Sequence, residues 1–159
     1  MTKERKSTVK QAKKWIGCKE SNGTHKQIID IYNSQKPLPR GYKVKYTDKW
    51  CATFVSAVFI ECGIDMPREC SCFQMIERLK YRDLFVEADG YTPQPGDLIF
   101  YDWQDDGRGN NLGYPDHIGI VEKVIGKTIT VIEGNYDNSV KRRKIKINDK
   151  YIRGFGVQK

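Results

Sequence analysis

The sequence predicts an α+β domain, N-terminal helices packed on an antiparallel sheet of about five or six strands, from three observations. Apolar residues recur at helical spacing up to about residue 84, strand-like runs fill the remainder, and tight turn signals separate those runs. A chain of 159 residues buries roughly 70% of its unfolded surface, enough for one full core. Residues 1–159 are therefore expected to form a single domain, with residues 1–44 as its basic helical part. No apolar run approaches the ~20 residues that cross a bilayer.

Val9, Ala12 and Ile16, with Ser7 or Thr8 as cap and Gly17 as stop, predict the first helix. A second runs from Thr24 through Ile28, Ile31 and Tyr32 and stops before the Pro37-Leu38-Pro39-Arg40-Gly41 turn. Residues 51–62 are apolar nearly all round and end at Gly63, the pattern of a central helix. Ser71 caps a short helix with Met75, Ile76 and Leu79 inward. Residues 97–103, 117–124, 127–135, 140–147 and 151–157 read as strands, with Ile125-Gly126 closing a hairpin between the second and third.

The formal charge of +8 is unevenly distributed. Residues 1–49 carry 13 Lys/Arg against 4 Asp/Glu, residues 50–139 carry 7 against 15, and residues 140–159 carry 8 against 1. Basic ends attract polyanions; the acidic middle, which holds the candidate chemistry, argues against nucleic acid as the substrate. The N-terminal residues lead into an amphipathic pattern rather than the apolar core of a secretory signal, so synthesis in a cytoplasm is expected. Five cysteines without such a signal argue against a disulfide scaffold.

Cys51 opens the central helix, where the positive end of the helix dipole and unpaired backbone amides favour thiolate over thiol. Cys62, deep in the same helix, reads as core. His117 begins a strand from whose end an imidazole can face a helix start and serve as general base. His25, in a polar segment, reads as a surface histidine. Glu133 and Asn135, two apart on the next strand, are expected to project from one face, with Gly134 relieving crowding between them, and either could orient the imidazole. Cys70 and Cys72 read as packing or helix-cap residues rather than zinc ligands, because structural zinc takes four. Residues 102–116 concentrate four acids in one loop; calcium is the metal such a loop could take, but its spacing is not that of an EF-hand, so a solvated loop and no cofactor are expected.

WCATFVSAVF, PQPGDLIFYDW, DHIGIVEKV, TVIEGN and YIRGFG together resemble, in order and spacing, the CHAP domain (cysteine, histidine-dependent amidohydrolase/peptidase). This is a papain-like fold of bacterial and phage peptidoglycan hydrolases. The resemblance covers roughly residues 45–157. It implies Cys51 as nucleophile, His117 as base, Glu133 as orienting carboxylate and Asn135 as an auxiliary polar group. Trp50, Asp102, Trp103 and Asp116 flank these and are expected along the substrate cleft. Many CHAP sequences carry glutamine where this chain has Trp50, leaving the Cys51 backbone amide as the one oxyanion donor that can be named.

The resemblance implies a monomeric N-acetylmuramoyl-L-alanine amidase or peptidoglycan endopeptidase, with bacterial peptidoglycan as partner. Such an enzyme would reach the wall through a phage-type pore or another non-Sec route. Two readings stand beside it: a noncatalytic cell-wall-binding module, and an NlpC-type or transglutaminase-like thiol hydrolase acting on other proteins.

Overall fold

The apolar run of residues 51–62 folds as the central helix its sequence predicts. In the computed structural model, residues 1–87, 90–104 and 113–159 are described. Their helices are α1 (Lys3–Lys14), α2 (His25–Ser34), α3 (Cys51–Cys62) and α4 (Cys72–Tyr81). The strands are β1 (Phe85–Val86), β2 (Leu98–Tyr101), β3 (His117–Ile125), β4 (Thr128–Tyr136), β5 (Ser139–Lys146) and β6 (Ile152–Gly156). They form one sheet in the order β1-β6-β2-β3-β4-β5, with every pairing antiparallel. The α+β architecture is thus as expected. The short β1 was not foreseen, since two residues carry no periodicity.

Every residue of α3 from Cys51 to Phe59 is buried, and the helix ends where Gly63 takes the left-handed conformation (φ 64°) that closes the last carbonyls. Alternation along the strands gives the sheet two apolar faces. Leu98, Phe100, Ile118, Ile120 and Ile132 pack with the helices, whereas Ile99, Tyr101, Val121, Ile129 and Val131 form a second cluster. β5 lies at the sheet edge with Lys141, Arg142, Lys144 and Lys146 exposed, charges that oppose pairing with another chain. No helix among the described residues is long and apolar enough to cross a membrane.

α1 departs from its sequence reading. Thr2, not Ser7 or Thr8, caps it, and its buried residues are Arg5, Thr8 and Ala12. The reason is a polar anchor. Arg5 donates to Asp97 at 2.9 Å and to the Pro95 carbonyl at 2.8 Å, and also reaches the Gln158 carbonyl. Thr8 Oγ1 donates to Glu4 O at 3.0 Å and Gln158 Oε1 at 3.2 Å. The helix keeps the face that apolar spacing selects, with Ala12 fully buried and Ile16 packed on the core, but buried hydrogen bonds extend that face to Arg5 and Thr8.

A second buried carboxylate fixes the segment between α3 and α4. Glu69 accepts from Arg40 at 2.7 Å, Arg78 at 3.0 Å and the Cys70 N–H at 3.0 Å. Burial opposes its charge, but Arg40, Arg78 and that N–H outweigh burial and hold the carboxyl below the usual range. Ser56 of α3 bonds the Glu69 backbone both ways, at 2.8 and 2.9 Å. The chain is therefore pinned three residues before Cys72.

Candidate active site

Cys51 is the first residue of α3, and Trp50 before it gives that helix no side-chain cap. Free first-turn amides and the helix dipole are thus left to act on the thiol. The Cys72 thiol, 3.6 Å from Cys51 Sγ, is the largest influence lowering the Cys51 pKa well below its ordinary value. Burial opposes this, while His117 and the Ala52 N–H add to it. The Cys72 thiol is pushed well above its ordinary value, first by that same hydrogen bond and then by burial. Both shifts favour Cys72 as the donor and Cys51 as the thiolate of the pair.

His117 opens β3, and its Nε2 lies 3.0 Å from Glu133 Oε1. With Nε2 engaged, Nδ1 is the nitrogen available to the thiolate. Burial pulls the imidazole pKa down, but hydrogen bonds to Cys51 and Glu133, with the charge of both, lift it to about 9. The resting pair is therefore thiolate and imidazolium.

Glu133 is fully buried on β4. Room for it comes from β3: a Cβ on Gly119 would stand 2.7 Å from Glu133 Cγ and 2.4 Å from Val131 Cγ1. Besides His117, the carboxylate accepts from Arg143 Nε at 3.0 and 2.9 Å. The Arg143 guanidinium lies 4.2 Å from the Tyr136 ring centre, 4.8 Å from that of Trp103 and 5.6 Å from that of Tyr101. Thiolate, imidazolium, carboxylate and guanidinium alternate in sign from Cys51 to Arg143. Each buried charge thus has an opposite neighbour.

Trp103 stacks on Tyr101 with ring centres 4.6 Å apart and stands 6.5 Å from the His117 ring, covering the ion pair. Asp116 Oδ2 accepts the Trp103 N–H at 2.7 Å. Beyond Cys72, exposed Phe73 stacks on exposed Tyr114 with ring centres 5.2 Å apart and planes 2° from parallel.

Several expectations need correction. Trp50 does not line a cleft: it is fully buried, its Nε1 donates to Glu20 at 3.0 Å, and its ring packs on His25 at 5.7 Å. His25 is not on the surface. It is buried with Nε2 3.0 Å from the Tyr46 carbonyl. Asp102 is largely buried, and its carboxylate accepts the Gln104 N–H at 3.0 Å. Asn135 does not stand beside Glu133 on one face, because pairing with β5 shifts between Glu133 and Tyr136 and Asn135 adopts φ 57°. Gly134 serves close packing with α3: a Cβ there would meet Phe54 Cβ at 2.5 Å.

Of the acidic loop considered for calcium, residues 105–112, with Asp105 and Asp106, lie outside the described residues. Among the described residues no three His, Cys, Asp or Glu side chains are grouped as metal ligands.

Sequence reading missed two members of the site. Arg143 hides within the basic run of β5, where it pairs with Val131 and is half-buried between exposed Arg142 and Lys144. Cys72 carried a usable signal: following the Ser71 cap, it is the first residue of α4, the same kind of position that singled out Cys51.

A model of the CHAP domain family matches residues 41–135, a span that contains Cys51, His117 and Glu133. Among solved structures, the crystal structure of Ly7917 is similar at 11% identity and a TM-score of 0.48, over 97% of this chain and 62% of that one. The chain thus spans less than two thirds of that protein's length. No curated protein matches.

Proposed function

The chain belongs to the CHAP domain family, whose members are generally cysteine- and histidine-dependent amidohydrolases or peptidases, and from that premise we propose that it hydrolyses an amide bond of bacterial peptidoglycan. The observations that carry the reading are the Cys72 thiol 3.6 Å from Cys51 Sγ and the His117–Glu133–Arg143 hydrogen bonds, with His117 among the groups that lower the Cys51 pKa.

In the proposed reaction the Cys51 thiolate attacks the amide carbonyl. The Cys51 backbone N–H at the helix start is suited to meet the oxyanion that forms. The His117 imidazolium then gives its proton to the departing amine, leaving a thioester on Cys51. Neutral His117 takes a proton from water, which attacks the thioester, and loss of the acid product restores thiolate and imidazolium. Glu133 keeps its hydrogen bond to Nε2 throughout, so the ring neither turns nor loses its orientation.

The flat Phe73–Tyr114 pair offers an apolar platform beside the thiol. The acidic residues 50–139 favour a substrate with a free amine near the cut, which points to an endopeptidase acting in the stem or cross-bridge. Basic residues 1–49 and 140–159 suit an anionic cell wall.

Digestion of chemically defined peptidoglycan, with mass spectrometry of the fragments, tests this. The expected products carry a new peptide amine and retain the muramoyl–L-alanine bond. New muramic acid ends would make the enzyme an amidase instead. The absence of both kinds of end, with Cys51 shown to be reduced, would overturn the hydrolase reading in favour of a binding module.

A further inference from the structure

The hydrolytic cycle uses one thiol, yet the site holds two, 3.6 Å apart. We propose that Cys51 and Cys72 form a redox modification site, in which a hydroperoxide converts the pair to a disulfide that reversibly removes the nucleophile. The consequence for activity rests on the hydrolase reading above, but the modification itself does not.

Position and access support it. Both cysteines are first-turn residues of their helices, so both side chains lie where helix ends converge. Cys72 is partly exposed, and His117 and Phe73 beside the pair are not sealed either, which admits a molecule as small as hydrogen peroxide. A disulfide has its sulfurs ~2.05 Å apart. The remaining separation of about 1.5 Å can be divided between two χ1 rotations and the first turn of α4, while Glu69 holds the segment before it. Of the other thiols, Cys62 contacts Ser7 O at 3.5 Å, Cys70 lies beside Arg40 at 3.6 Å, and Cys18 is buried.

The division of labour within the pair is also the one such chemistry requires. Cys51, held as thiolate, attacks one peroxide oxygen; the O–O bond breaks, hydroxide leaves, and Cys51 becomes a sulfenic acid. Cys72 then loses its proton as its sulfur attacks the Cys51 sulfur. An S–S bond forms and water departs with the sulfenic oxygen. The peroxide gains two electrons, one formally from each sulfur, and the protein loses two hydrogens. A thiol reductant reverses the change by exchange. Without Cys72, a second hydroperoxide, itself reduced to water or alcohol, oxidises the sulfenic acid to sulfinic acid, and thiols do not reverse that step.

The test uses the full reduced chain and hydrogen peroxide, without any wall substrate. Intact mass should fall by two hydrogens, and unreduced peptide mapping should join the Cys51 peptide to that of Cys72. Alkylation of Cys51 should be lost and then regained with reductant. Cys72→Ser, which keeps a hydroxyl donor, should instead gain two oxygens at Cys51 and not regain alkylation. Sulfinic Cys51 beside a free Cys72 in the wild type, or a cross-link joining other cysteines, would overturn the proposal. The wild-type map alone is decisive if the variant fails to fold. A disulfide formed and reversed in a chain with no activity on peptidoglycan would leave this site standing and remove the proposed substrate.

Discussion

Replacing Glu133 with glutamine is expected to lower the maximal rate about 10-fold to 1000-fold, equivalent to ~1.4 to 4 kcal/mol of transition-state stabilisation. The substitution keeps shape and one acceptor but removes charge. That charge stabilises the imidazolium through the 3.0 Å contact to Nε2 and also pairs Arg143 at 2.9 Å. An amide oxygen supplies only a dipole to the ring. Its NH2 group would in addition face the Arg143 guanidinium, two donors without an acceptor. Asn135→Ala should cost less, because the left-handed turn at Asn135 takes it off the face that Glu133 occupies. The comparison is of steady-state rates, with thermal melting to verify folding. A stable Glu133→Gln protein at near wild-type rate beside an inactive Asn135→Ala protein would transfer the orienting role to Asn135.

The largest expected effect on stability is at Trp50. Its fully buried ring closes the space between α3, His25 and Glu20. Trp50→Ala should lower the unfolding free energy by about 3–5 kcal/mol, the range for truncating a buried aromatic. Trp50→Phe preserves most of the packing and loses the Nε1 bond to Glu20, so about 1 kcal/mol is expected. Urea unfolding midpoints measure both. A substrate-lining tryptophan would behave in the opposite way: Trp50→Ala would raise KM and leave the midpoint in place.

Both predictions depend on residues whose roles differ in how far the sequence reveals them. α3, α4 and the longer strands are legible because each buries apolar side chains at the period of its own geometry, and Gly63 and Ser71 mark ends that backbone sterics require. Cys51 and His117 are legible as first residues of their elements, where chemistry-bearing side chains are exposed to neighbouring elements. The start of α1 is not legible, because Arg5 and Thr8 extend its inward face beyond Ala12 and polar burial leaves no hydrophobic period there. Trp50, His25 and Asp102 are more buried than their sequence context suggests, for a related reason. Their burial depends on partners at Glu20, Tyr46 and the Gln104 backbone that the spacing of residues does not reveal. Asn135 illustrates a further limit, since strand alternation fails at a bulge and a bulge depends on the partner strand. Cys72 meets Cys51 through tertiary contacts, among them the bonds of the Glu69 backbone to Ser56 of α3, which local sequence spacing does not encode.

The central claim is that Cys51 rests as a thiolate paired with the imidazolium of His117. Its pKa lies well below the ordinary cysteine value and that of His117 is raised to about 9, so the pair exists between those two limits. Below the Cys51 pKa the thiolate is protonated; above about 9 the imidazolium loses its proton. The most direct measurement is the rate of iodoacetamide alkylation at each cysteine of the reduced protein at pH 6 and pH 8, followed by peptide mapping. Cys51 should react first at pH 6 and change little by pH 8, whereas an ordinary thiol of pKa ~8.5 gains on the order of 100-fold in thiolate over that interval. A Cys51 that shows the ordinary gain, or that is alkylated after Cys62, Cys70 or Cys72 at pH 6, would contradict the account.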